Sequence, residues 1–297
     1  MFKGSLVAII TPFRNGRLDE EALGRLIEWQ IAEGTHGIVP CGTTGESATL
    51  SHEEHHRVIE FTISAVKRRV PVIAGTGSNS TEEAIALTRH AKQAGADGAL
   101  LITPYYNKPT QEGLYQHYKR IAESVDLPLM LYNIPGRTSV NMLPSTVARL
   151  THLPTIVSIK EGSGSIQQMD EVLQLCGDRL TVLSGDDVMT LPMMALGGHG
   201  VVSVVANVAP RETATLVTSA AKGDFAQART LHRRLLPLVN ALFLETNPIP
   251  VKTALALMGR CTDELRLPLC GMQVETREKL TAALKRHGLI YKGSRGQ

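Results

Sequence analysis

Four cysteines occur among 297 residues, and Cys41, Cys176, Cys261 and Cys270 include no C-x-x-C pair. That spacing excludes a small disulfide framework and offers no zinc site, and it suits free thiols in a reducing cytoplasm. An excess of one charge is lacking too, since 31 Lys and Arg stand against 28 Asp and Glu, a formal net charge of +3. A chain so balanced has no basic stripe for nucleic acid, and a small molecule is the expected ligand. Long apolar runs are missing. The run at 6–10 breaks at Thr11-Pro12, too short for a signal or membrane segment, and no later segment reaches spanning length. Neither membrane nor nucleic acid is expected as a partner, and the expected location is the cytoplasm. With no low-complexity linker and no longer repeat, the length allows one large α/β barrel or two ordinary domains.

Short apolar runs rich in β-branched residues and bounded by Gly or Pro recur at 6–10, 37–41, 71–75, 98–103, 128–133, 156–160, 180–184 and 201–205. Helical patterns lie between them. After Asp19, for example, Ala22, Leu23, Leu26, Ile27 and Ile31 recur at helical spacing until Gly34, and Ser51-x-x-Glu54 and Ser80-x-x-Glu83 read as capping boxes. Continuous apolar strands alternating with helices predict a parallel sheet covered on its outer face, and eight units suit a closed (β/α)8 TIM barrel over 1–210. A doubly wound sheet fits less well, because no dinucleotide fingerprint follows the first strand. The rest, 211–297, reads as a C-terminal helical region.

Such a barrel gathers its reactive groups at the carboxyl ends of its strands. Lys160 ends the sixth run, Thr155-Ile156-Val157-Ser158-Ile159-Lys160. An ammonium pressed among apolar groups is poorly solvated, and its free amine can attack a carbonyl, although many lysines at strand ends only extend to water. Tyr132 ends the neighbouring strand, where its hydroxyl can move protons for atoms bonded to Lys160 or the ring can simply fill the barrel mouth. Gly42-Thr43-Thr44-Gly45 offers amides and hydroxyls to a carboxylate, or is a plain turn using glycine for positive φ. Arg137, in a Pro-Gly loop on the same face, can clamp a second carboxylate. One amine, one tyrosine, a hydroxyl pair and one arginine suit a small keto acid.

Other motifs carry less. His52-Glu53-x-x-His56 satisfies the zinc-protease pattern, but it opens a helix capped by Ser51 and has no clear third ligand, so no metal is expected. Gly75-Thr76-Gly77 lacks the third glycine of a dinucleotide loop. Asp186-Asp187 reads as a cap for the next helix.

These strand ends carry a resemblance that runs through essentially the whole chain. Gly42-Thr43-Thr44-Gly45-Glu46, Thr103-Pro104-Tyr105-Tyr106-Asn107, Tyr132-Asn133-x-Pro135-x-Arg137-Thr138, Ile159-Lys160-Glu161, Gly185-Asp186-Asp187 and Asn247-Pro248-Ile249-Pro250-Val251-Lys252 resemble the signature segments of the dihydrodipicolinate synthase family, a branch of the class I pyruvate lyases. The resemblance implies a lyase of the diaminopimelate route to lysine. Lys160 would form a Schiff base with pyruvate, and the derived enamine would attack L-aspartate 4-semialdehyde. Tyr132, Thr44 and Tyr106 would relay protons, Tyr106 entering from the neighbouring subunit of a homotetramer built as a dimer of dimers. Thr43 and Thr44 would hold the pyruvate carboxylate, Arg137 that of the semialdehyde, and Gly185 and Val202 would line the pocket. No cofactor is implied, because the imine is itself the electron sink. A second set, Ser47, Ala48, His52, His55, Asn79, Glu83 and Tyr105, would bind lysine as a feedback inhibitor. A sister aldolase acting on a sugar-derived acid, such as an N-acetylneuraminate lyase or a keto-deoxy sugar acid aldolase, is the alternative; the former usually carries Ser-Thr where this chain has Thr43-Thr44.

Overall fold

All eight apolar runs become parallel strands of one sheet in the structure, a computed structural model that describes residues 2–290. They are β1 (Gly4–Ala8), β2 (Gly37–Val39), β3 (Ile73–Gly75), β4 (Gly98–Ile102), β5 (Leu129–Asn133), β6 (Ile156–Glu161), β7 (Thr181–Ser184) and β8 (Gly200–Ser203). Chain order is kept around the sheet, with β8 pairing back to β1. A bridge between Ile38 and Val72 joins β2 to β3 and closes the ring into a (β/α)8 TIM barrel.

The pleat divides each strand between two cores. Leu6, Val39, Ile73, Leu100, Met130, Leu183 and Val202 point inward and fill the barrel. Leu101, Leu129, Leu131, Ile159 and Val182 point outward and pack beneath helices. Burial on both faces is why these strands are apolar at every position rather than at alternate ones.

Helix boundaries follow local chemistry. Asp19 caps Glu20–Ala32 through a bond from Ala22 N at 2.9 Å, and that helix stops before Gly34 at φ +88°. Ser51 and Glu54 form a complete capping box at His52–Val66. The second expected box, at Thr81–Ala94, is only half formed: Ser80 accepts from Glu83 N at 3.5 Å, while the Glu83 carboxylate turns to Ser78 and His52. After β8 the chain continues through Pro210–Ala221, Phe225–Leu242, Ile249–Leu257 and Val274–His287. No helix among the described residues is long and apolar enough to cross a membrane.

Candidate active site

Register places Tyr132 beside Lys160 and Asn133 beside Glu161 where β5 and β6 end. By strand parity the first pair faces the barrel interior and the second faces the helices. Lys160 is 5 % exposed, with Nζ 4.0 Å from the centre of the Tyr132 ring. The ring attracts an ammonium without supplying an acid to pair with it. Glu161, its nearest carboxylate in sequence, is engaged on the other face, accepting from Ser163 N at 2.7 Å, Asn133 Nδ2 at 3.1 Å and Gln168 Nε2 at 3.2 Å. An amine spared an adjacent carboxylate is suited to nucleophilic attack.

The turn after β2 forms differently from the expectation. Its left-handed residues are Cys41 and Glu46, both at φ +54°, rather than Gly42 and Gly45. Glycine is needed nearby for a steric reason instead, since a Cβ on Gly75 of β3 would lie 2.1 Å from Cys41 O. Gly45 N and Glu46 N bond within the turn, to Gly42 O at 3.0 Å and Thr43 O at 3.1 Å. Among the described residues the amides of Thr43 and Thr44 have no such partner, which leaves them for a carboxylate. The Thr44 hydroxyl is buried and accepts from Asn247 Nδ2 at 3.0 Å.

Arg137 sits on the short helix Pro135–Thr138, exposed, and donates from Nη2 to Asn247 O at 3.0 Å. Thr43, Tyr132 and Arg137 line one cavity of about 460 Å³. Lys160, Thr44, Gly185 and Val202 are not among its lining residues; Lys160 sits against the tyrosine ring, and Val202 belongs to the same interior cluster as Tyr132. Gly185 allows close stacking at the mouth, where a Cβ would come within 3.0 Å of Gly162 Cα.

Six of the residues expected to bind lysine, Ser47, Ala48, His52, His55, Glu83 and Tyr105, line this cavity as well. Asn79 is not among its lining residues; its backbone oxygen accepts from Asn107 Nδ2 at 2.9 Å. His52 Nε2 lies 3.0 Å from Glu83 Oε1, and the hydrogen bond from Ser78, then His52, holds the Glu83 carboxyl below the usual carboxylate range. His55 bonds Gly75 O through Nε2 at 2.8 Å, and burial pushes its imidazole down to about 4. Burial, followed by the Glu83 carboxylate, pushes the Tyr105 phenol up.

Tyr106 stands apart, 89 % exposed and at φ +73°, outside the cavity lining. The two histidines of the zinc-like motif also diverge: His52 faces Glu83, while His56 stacks on His90 with centroids 3.7 Å apart. Among the described residues no cluster of His, Cys, Asp or Glu has the geometry to hold a metal ion. Asp187 does not cap the helix that follows it. Its carboxylate crosses to the end of β8, accepting from Ser203 Oγ at 2.6 Å, Val204 N at 3.1 Å and Val205 N at 2.9 Å. Burial raises its pKa, against those three donors.

Two buried residues, present in the sequence reading only as part of a signature segment, make contacts that the sequence did not assign. Asn247 touches both Thr44 and Arg137, and Lys252 pairs with Glu46 at 2.5 Å, both side chains wholly buried. The signal was the polar pair inside Asn247-Pro248-Ile249-Pro250-Val251-Lys252, whose distance in sequence from the strands hid its proximity.

The model of the Dihydrodipicolinate synthetase family matches residues 1–287. Proteins named 4-hydroxy-tetrahydrodipicolinate synthase are 63% identical in Syntrophus aciditrophicus and 61% in Thermodesulfovibrio yellowstonii, each over 98% of this chain and all of the relative. Among solved structures, a chloride-inhibited dihydrodipicolinate synthase from Acinetobacter baumannii complexed with pyruvate is 49% identical with a TM-score of 0.96, covering 98% of this chain and 100% of that one. The enzyme from Cyanidioschyzon merolae, with lysine bound, is 40% identical with a TM-score of 0.95, covering 97% and 99%.

Proposed function

The chain belongs to the dihydrodipicolinate synthetase family, and from that membership we propose that it is a Schiff-base-forming lyase condensing pyruvate with L-aspartate 4-semialdehyde to give 4-hydroxy-tetrahydrodipicolinate, in diaminopimelate and lysine biosynthesis. The observation that carries the chemistry is the buried Lys160 amine 4.0 Å from the Tyr132 ring centre at the carboxyl end of the barrel.

In this reading the Lys160 amine adds to the pyruvate ketone and water leaves, forming an imine. The protonated imine then draws electrons from the adjacent methyl, which loses a proton to become an enamine carbon nucleophile. Tyr132 and Thr44 carry protons to and from these atoms, and Thr43 and Thr44 hold the pyruvate carboxylate through the amides left unbonded by the turn. Arg137 clamps the carboxylate of the semialdehyde, whose aldehyde carbon the enamine attacks. Gly185 and Val202 shape the pocket. Cyclisation by the substrate's own amine releases Lys160.

The exposure of Tyr106, together with its left-handed backbone, supports its entry into a neighbouring subunit's cavity, within a homotetramer built as a dimer of dimers. Lysine is the proposed feedback ligand of Ser47, Ala48, His52, His55, Asn79, Glu83 and Tyr105, with Glu83 meeting an ammonium. The cytoplasm is the proposed location, and the four free cysteines suit it. We further read 1–210 as the catalytic barrel and 211–297 as the helical region, a division in which residues 1 and 291–297 lie outside the described residues. Borohydride added with pyruvate is expected to leave a pyruvate-derived mass adduct on the peptide containing Lys160 and none in Lys160→Ala; an adduct elsewhere, or none, overturns the nucleophile assignment.

A further inference from the structure

Asn247 is one point where the helical region reaches the mouth of the barrel. Its Nδ2 donates to Thr44 Oγ1, and its backbone oxygen accepts from Arg137 Nη2, each at 3.0 Å. One buried residue thus touches both the hydroxyl assigned to proton transfer and the guanidinium assigned to the second substrate.

The direction of the first bond matters. A threonine hydroxyl has one proton to give and two lone pairs. While Asn247 donates to Oγ1, the Thr44 proton must point elsewhere, and it is free to serve the relay with Tyr132. An acceptor in place of Asn247 would draw that proton to itself and reverse the hydroxyl. Burial of Asn247 removes water as a substitute donor. From this geometry we propose that Asn247 is a positioning residue that sets the direction of the Thr44 hydroxyl and steadies Arg137; this rests on reading Thr44 and Tyr132 as the proton relay.

The turn itself has other anchors. Lys252 binds Glu46 at 2.5 Å, and Thr11 Oγ1 donates to Gly45 O at 2.7 Å. A change at Asn247 is therefore expected to reorient the hydroxyl while the turn stays in place.

The test compares Asn247→Asp with Asn247→Leu in the full-length enzyme, by kcat and KM for both substrates from about pH 5.5 to about 9. The leucine removes the donor and is expected to lower kcat about tenfold. The aspartate, nearly the same shape but an acceptor when ionised, is expected to lower kcat on the order of a hundredfold and to recover as falling pH protonates it. Pyruvate KM is expected to change little in both. Asn247→Ser and Asn247→Ala repeat the comparison without charge or added bulk, serine retaining the higher kcat. An aspartate variant as active as the leucine variant, with a pH profile parallel to the parent's, overturns the proposal. The borohydride adduct separates the two readings: if the unaltered enzyme forms none with pyruvate, the reaction assignment fails first, whereas a normal adduct with equal Asp and Leu variants fails Asn247 alone.

Discussion

His55 and His117 are held neutral by burial, each pushed from the ordinary imidazole value down to about 4. His117 bonds Thr81 Oγ1 at 2.9 Å and packs edge-on against Tyr118, while its Nε2 has no partner among the described residues. Between about pH 6.5 and about 4 the unfolded chain binds protons at these rings and the folded chain does not. Their contribution to stability is therefore complete above the unfolded value and is lost as pH falls through that window, by up to roughly 3 kcal/mol for each. Urea unfolding midpoints are expected to drop between pH 7 and about 5, and His117→Gln is expected to shrink that drop; an unchanged pH dependence in the variant contradicts the account. Single residues were legible where they end an apolar strand, as Lys160 and Tyr132 do. Asn247 was not, because its partners Thr44 and Arg137 lie 203 and 110 positions away in sequence.

At the scale of elements, the buried Lys252–Glu46 pair ties Ile249–Leu257 to the turn bearing Thr43 and Thr44. Burial lowers the Lys252 pKa, the adjacent Glu46 carboxylate opposes that shift, and the Phe13 ring lies 4.1 Å from Nζ. Glu46 also accepts from Arg266 N at 3.1 Å. Lys252→Met strands a buried carboxylate and is expected to cost about 3–5 kcal/mol by denaturant unfolding. Adding Glu46→Leu is expected to recover part of that loss, and a double variant less stable than Lys252→Met contradicts the assignment of the cost to an unpaired charge. The strands themselves were readable from apolar runs, because both faces of each are buried. Their ends were less so: the last run continues to Val205, but β8 stops at Ser203, where Asp187 captures the amides of Val204 and Val205 and turns the chain. That capture depends on a contact between strand ends, which no local pattern reports.

Across the whole molecule, parts of two proposed ligand sets line one cavity. Residues assigned to substrate, such as Thr43 and Arg137, and residues assigned to lysine, such as His55 and Glu83, line it together. This offers a physical route for one ligand to bias the other, since Tyr105, on the lysine side, adjoins Tyr106 in the chain. The barrel was legible from the rhythm of strands and helices. The fit of the helical region against the barrel mouth depends on tertiary contacts and was not. In the proposed reaction this barrel joins pyruvate to L-aspartate 4-semialdehyde through Lys160. The most direct measurement is the initial rate of pyruvate consumption with that semialdehyde, beside N-acetylmannosamine and glyceraldehyde, with Lys160→Ala as the blank. Turnover with the semialdehyde alone, absent from the variant, is the predicted result. Turnover with a sugar aldehyde instead, or undiminished turnover in Lys160→Ala, would contradict it.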